Sequence, residues 1–172
     1  ENIIQHTVSV KKGVKNSLLV VDMPKGTYSN SILAKKNAKY IMRLTKCDAV
    51  KIESNGRNFN IIKELVKIKI PVMGHIGFTP QFKNNFKIEG DSKKKAIKLL
   101  KEAKNVEKSG AFSIVLECIS PLTSKLITKN LNIPTIGIGS SSYCDGQILV
   151  TDDMLGISGF YPKFVKKYAF LD

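Results

Sequence analysis

The sequence predicts an α/β chain of the (β/α)8 TIM barrel class, with about six of the eight βα units present. Two observations lead there. Short apolar runs rich in Val and Ile alternate with Lys-rich amphipathic stretches, the β-α-β-α order that calls for a parallel sheet with right-handed crossovers. Polar residues also close one apolar run after another: Asp22, Glu53, His75, Glu117 and the Gly139-Ser140 pair. In a barrel such positions converge on one mouth, whereas a doubly wound sheet spreads them along an edge. Six runs stand where a closed barrel needs eight, so the first two βα units are read as missing. No repeat or low-complexity linker divides the chain, and residues 1–172 are read as one domain.

Taken in order, Ile3, Ile4, Val8 and Val10 read as the end of a helix whose own preceding strand is absent. The chain opens at Glu1 without an initiator Met, and the natural polypeptide is expected to extend upstream. The strand candidates are Ser17–Met23, Ala49–Glu53, Pro71–His75, Phe112–Glu117, Pro134–Ile138 and Gln147–Val150. Their lack of clean alternation predicts strands buried on both faces. Helix candidates lie between them. Asn30–Leu44 carries Ile32, Leu33, Tyr40, Ile41 and Leu44, and Phe59–Lys67 and Ser92–Ser109 follow similar spacing. Ser120–Asn130 opens on Ser-Pro, a helix-start signal, and Gly110 is placed to end the preceding helix.

Composition narrows the function classes. With 42 % hydrophobic residues the chain is expected to pack a core rather than stay disordered. No apolar run approaches the ~20 residues of a membrane span, and no basic start precedes a cleavage-like segment, so a cytoplasmic protein is expected. The net charge of +14 invites a nucleic-acid reading. Against it, the cations are nearly all Lys, with Arg only at Arg43 and Arg57, and they are spread over helical stretches such as 35–39 and 93–98. Base-reading surfaces favour the Arg fork, and no aromatic residues interleave with the lysines as a stacking platform. Partners are expected to be anionic small molecules, not nucleic acid or membrane. Cys47, Cys118 and Cys144 show no CxxC spacing and read as reduced thiols.

Several segments carry a more specific signal: VVDMP (Val20–Pro24), VKIE (Val50–Glu53), GHIGFTPQ (Gly74–Gln81), VLEC (Val115–Cys118), IPTIGIG (Ile133–Gly139) and CDGQILV (Cys144–Val150). The pattern HT-x-x-V-x-x-G from His6 to Gly13 and the run Asp153-Met154-Leu155-Gly156 support them. In this order and spacing the chain resembles the ketopantoate hydroxymethyltransferases from about His6 onward. The resemblance implies a (β/α)8 barrel enzyme, commonly a homo-oligomeric decamer, of pantothenate synthesis. Such an enzyme transfers a hydroxymethyl group from 5,10-methylenetetrahydrofolate to 3-methyl-2-oxobutanoate through a magnesium-stabilised enolate, giving 2-dehydropantoate. By the same resemblance Asp22 and Glu53 match magnesium (Mg2+) carboxylates, with Asp22 also at the substrate. Lys51 matches the contact to the substrate carboxylate, Glu117 the proton acceptor, and His75 a histidine of the active-site mouth. The family's Asp-Ser pair would precede Glu1. Lys25, Ser54-Asn55, Asp91 and Ser140-Ser141 depart from the family's pattern in loops.

The residue types suit that chemistry. Magnesium takes oxygen ligands and keeps waters, so one or two carboxylates plus a chelating 2-oxo acid suffice. Lys51 lies two residues before Glu53 and shares its strand face. Glu117 closes the apolar run Ile114-Val115-Leu116, a setting suited to a general base. Other readings stand beside these. Asp22 suits a turn cap, Lys51 and Glu53 a structural salt bridge, and His75 a satisfied core histidine. The loop GIGSSSYCDG lacks the Lys-Ser/Thr pair of a phosphate loop and reads as a βα connection. Two further function classes remain: a magnesium-dependent C–C lyase of the phosphoenolpyruvate mutase and isocitrate lyase type, and a catalytically silent remnant acting only through interactions.

Overall fold

The computed structural model describes residues 2–171. Helix α1 (Asn2–Gly13) leads into β1 (Val20–Asp22), α2 (Ser31–Thr45), β2 (Ala49–Glu53), α3 (Phe59–Lys67) and β3 (Val72–Gly77). Then come α4 (Lys93–Lys108), β4 (Ser113–Glu117), α5 (Pro121–Asn130), β5 (Thr135–Ile138), β6 (Gly146–Gln147) and α6 (Thr151–Leu155). All six strands form one sheet in the order β1-β2-β3-β4-β5-β6, every pair parallel. That order decides between the two parallel folds. A doubly wound sheet reverses its strand order at a switch point, whereas here each strand adds beside the last. Right-handed crossovers of one sense then put every helix on one face and curl the sheet into a partial (β/α)8 barrel.

Local chemistry explains where the elements start and stop. Asn30 caps α2, its side-chain oxygen accepting from the Leu33 amide at 2.9 Å. Pro121 sits in the first turn of α5, where its missing N–H costs nothing. Gly110, at φ +93, turns the chain out of α4 into β4 in a conformation other residues adopt at a cost. Two strands are shorter than the apolar runs suggest. β1 keeps only Val20–Asp22 of the expected 17–23, and β6 keeps Gly146–Gln147 in place of 147–150. Both lie at the sheet's ends among the described residues, where a single neighbour supplies hydrogen bonds. The run Asp153-Met154-Leu155 falls in the short helix α6.

The central strands are buried on both faces, as expected, and the register shows that the two faces differ in chemistry. Asp22 pairs with Lys51, Lys51 with Met73, and Met73 with Ser113. Because side chains alternate, one face therefore presents Asp22, Lys51, Glu53, His75 and Glu117. The opposite face presents Val21, Val50, Ile52, Val72, Ile76, Ile114 and Leu116, all in the apolar core. These pack against Ala34, Ala38, Ile62, Leu65, Ala103 and Val106 of the helices. At Gly74 the sheet and α4 come so close that an added Cβ would stand 2.3 Å from Val106 Cγ1. The core is thus the sheet–helix layer, and the other face is left for polar chemistry.

Candidate active site

Five polar side chains from four strands meet on that inner face near the strands' C-terminal ends. Asp22 Oδ2 lies 2.8 Å from Lys51 Nζ, which in turn is 3.1 Å from His75 Nδ1. On the other side of the ring, His75 Nε2 lies 3.0 Å from Glu117 Oε2, within ion-pair range though without hydrogen-bond alignment. Glu53 Oε1 stands 3.8 Å from His75 Nδ1. The result is a continuous chain of contacts, Asp22–Lys51–His75–Glu117, with Glu53 beside its middle.

Burial sets the charge states. His75 is 2 % exposed, and burial pulls its pKa below the usual histidine value, with the nearby Lys51 cation acting in the same direction. A neutral ring with Lys51 donating to Nδ1 carries its proton on Nε2, facing Glu117. Glu53 is 1 % exposed. Burial pushes its carboxyl up to about 7, reinforced by the Asp22 and Glu117 charges and opposed by the Gln81 amide and Lys51. Glu117 closes an apolar run, a setting that would enclose its carboxyl. Instead its side chain keeps 16 % exposure and Glu53 takes the buried position. The reason is register: Glu53 lies level with His75, whereas Glu117 lies level with Gly77, two residues nearer the rim, and Glu53 lies beneath the loop that follows β3.

That loop, residues 78–92, covers the mouth. Phe78 N–H donates to the Glu117 carbonyl at 2.8 Å, and Glu89 N–H to the Cys118 carbonyl at 2.7 Å. Lys83 Nζ reaches the Gly77 carbonyl and Glu89 Oε1, both at 2.7 Å. Gln81 N–H donates to Glu53 Oε2 at 3.0 Å. On the far side of β2, buried Ser54 donates to Glu102 Oε1 at 2.9 Å and accepts from Gly56 N–H at 3.3 Å. Cys118, just after Glu117, has φ +51, rare for a residue with a side chain, and burial pushes its thiol up to about 12. Gln81, Tyr28 and Glu102 had no assigned role in the sequence reading. Gln81 stands in a recognisable motif, but only the fold shows what it touches.

Among the described residues, no group of three or more His, Cys, Asp or Glu is arranged to hold a metal ion. Two oxygen donors nonetheless suit a hard cation. Asp22 Oδ1 is buried without a hydrogen-bond partner, and the buried Glu53 carboxyl has the Gln81 amide on Oε2 and His75 at 3.8 Å from Oε1. Carboxylate oxygens are the donors magnesium prefers, and one or two are enough. The alternative of a Lys51–Glu53 salt bridge is not what forms, since Lys51 pairs with Asp22. His75 is buried and lies against Lys51, Glu53 and Glu117, while its Nε2 lacks a hydrogen-bond partner, unlike a satisfied core histidine.

Comparison with known proteins gives a consistent picture. The family model described as ketopantoate hydroxymethyltransferase matches residues 1–172. The chain is 51 % identical over 167 residues to the 3-methyl-2-oxobutanoate hydroxymethyltransferase of Pelagibacter ubique, covering 97 % of this chain and 65 % of that protein. It is 49 % identical over 174 residues to the enzyme of the same name from Clostridium novyi, covering 98 % of this chain and 63 % of the relative. The chain thus spans somewhat less than two thirds of these relatives' length. Among solved structures it is similar to a candidate phosphonomutase from Burkholderia cenocepacia J2315, with TM-score 0.63, 10 % identity and coverage of 86 % and 67 % of the two chains. It is also similar to 3-dehydroquinate dehydratase from Geobacillus kaustophilus HTA426, with TM-score 0.52, 13 % identity and coverage of 90 % and 61 %. At such low identity these likenesses speak for the fold alone, and they agree with a partial barrel. The motifs in series, the full-length family match and the relatives at about half identity together place the chain in the ketopantoate hydroxymethyltransferase family.

Proposed function

We propose that this chain carries the reaction centre of a transferase that moves a hydroxymethyl group from 5,10-methylenetetrahydrofolate to 3-methyl-2-oxobutanoate, giving 2-dehydropantoate. The observation that carries the reading is the unbroken contact chain Asp22–Lys51–His75–Glu117 on one sheet face, with Glu53 beside it. Lys51 offers the ammonium for the substrate carboxylate, and its pairing with Asp22 holds it in place. Glu117, at the open rim, takes the proton from C3 of the oxo acid. His75, neutral and with its Nε2 proton facing Glu117, steadies the carboxylate when charged. Asp22 and Glu53 would hold magnesium, which when bound supplies positive charge at the keto oxygen. The C3 carbon, once its proton has gone to Glu117, forms the bond to the donor's methylene carbon; both methylene C–N bonds break, water supplies the hydroxyl, and tetrahydrofolate leaves with its two nitrogens protonated by the C3 proton and the second water proton.

A cavity of about 550 Å³ opens beside Cys118, lined by Phe86, Lys87, Gly139, Tyr161 and Phe164 among others. Its aromatic faces, with Phe86 and Phe164 stacked at 6.3 Å between centroids, and its two lysines, Lys87 and Lys163, suit a planar, anionic cosubstrate such as the folate donor. The same reading carries with it a role in pantothenate synthesis, a cytoplasmic location and a homo-oligomer. No described helix is long and apolar enough to cross a membrane.

The test is turnover of 3-methyl-2-oxobutanoate with the folate donor and magnesium, followed beside solvent deuterium exchange at C3. Glu117→Gln is expected to slow that exchange by about 100-fold or more. Exchange at the parent rate in the variant would remove Glu117 from the base role, and absence of any folate-dependent product would end the transferase reading.

A further inference from the structure

The register leaves a gap that something must fill. Asp22 is opposite Lys51 and β1 ends there, and past it Met23 N–H donates to the Lys51 carbonyl at 3.1 Å, so the last backbone bond from this segment to β2 falls two residues short of Glu53. The β1 ladder stops there, and strand pairing alone does not fix Glu53 relative to Asp22. Gln81 bridges the gap from the loop after β3. Its amide N–H donates to Glu53 Oε2 at 3.0 Å, and its side-chain Nε2 donates to the Met23 carbonyl at 3.0 Å, one residue past Asp22. Its Oε1 accepts from Tyr28 Oη at 2.6 Å. Tyr28 is 3 % exposed, and a buried hydroxyl requires such a partner. The amides of Phe82 and Lys83 both turn back to the Thr79 carbonyl, which leaves the Gln81 amide, earlier in the same turn, aimed at the carboxylate. Three segments remote in sequence are thereby tied at one residue.

We propose that Gln81, locked by Tyr28, is a positioning residue that sets Glu53 against Asp22 and so tunes the site's hold on its divalent cation. The cation part rests on the function proposed above; the latch itself rests on the geometry. Tyr28→Phe removes one tie and keeps the ring, while Gln81→Ala removes both side-chain ties and keeps the amide. In the full chain, both variants should speed hydrogen exchange at the residue-81 amide by at least about tenfold, with the amides of β3 and β4 unchanged. A general loss of stability would speed them all. Calorimetric titration with magnesium should show affinity weakened by about three- to tenfold, the size expected for one or two hydrogen bonds. Combining the two substitutions should cost no more than Gln81→Ala alone, since both cut one connection. Unchanged residue-81 exchange and unchanged magnesium affinity in Tyr28→Phe would overturn the proposal, and that variant decides alone if Gln81→Ala does not fold. Should the parent chain take up no magnesium, the metal assignment falls, and exchange at the residue-81 amide judges the latch by itself.

Discussion

Glycine 77 shows how little room the site leaves at the scale of single residues. It ends β3 at φ +97, and a Cβ there would stand 2.2 Å from the Glu117 carbonyl oxygen. Gly77→Ala combines an unfavourable conformation with a backbone clash, and is expected to destabilise the fold by about 2 kcal/mol or more. It should also displace Glu117. Chemical denaturation and C3 exchange rates would report both effects, and a variant as stable as the parent would contradict the geometry. Glu102 makes a different test. Burial raises its carboxyl above the ordinary 4.5, with its bond from Ser54 opposing the shift. A raised carboxyl pKa means the folded state holds its proton more tightly than the unfolded one, so the ionised form costs stability. That cost is absent below the usual carboxylate value and grows as pH rises through the raised one. Glu102→Gln, which cannot ionise, should therefore gain stability relative to the parent as pH is taken from 4.5 to 8. Denaturant midpoints at the two pH values would check the slope, and a flat or opposite trend would refute it.

Elements dock through close approaches that the substitution of a single atom group can test. At Gly74 helix α4 lies against β3 so tightly that Val106 occupies the space of a Cβ. Gly74→Ala should cost about 1–3 kcal/mol by pushing the helix from the sheet. Val106→Ala alone also costs stability by leaving a small cavity. Combined, the two should partly compensate, and the double variant is expected to be more stable than the sum of the singles implies. Strict additivity in a thermal unfolding cycle would show that the contact is not what couples them. The α4 contact also matters to the site, because α4 carries Glu102 to Ser54, the residue after Glu53.

The molecule as a whole is a sheet with a firm centre and weak ends. β3 and β4 each have neighbours on both sides, and most of the buried apolar side chains lie over the middle of the sheet. β6 has two residues and one neighbour among the described strands. Native-state hydrogen exchange should therefore be slowest in β3 and β4 and fastest in β6 and α6. Uniform protection across the sheet would argue against this gradient. Lys51, Glu53, His75 and Glu117 sit on strands with a neighbour on each side, whereas Asp22 is on β1, which pairs only with β2 among the described strands, which is why a tie from Gln81 matters there.

Much of this was legible in the residues. The bounds of β2 and α3 coincide with the segments Ala49–Glu53 and Phe59–Lys67 that composition picks out, and four of the five site candidates, Asp22, Glu53, His75 and Glu117, fall where apolar runs end. These are local properties: hydrophobic period, caps and breakers act over a few residues, so the chain states them directly. What lay beyond the sequence is pairing between residues far apart along it. Register put the five side chains on one face and set Glu117 two residues beyond the level of Glu53, and Lys51 chose Asp22 over its near neighbour Glu53. Gln81 met Glu53 and Met23 only because the loop after β3 folds back over the rim. Such contacts depend on which strands lie side by side and how far each one extends, and that is settled only when the whole sheet assembles.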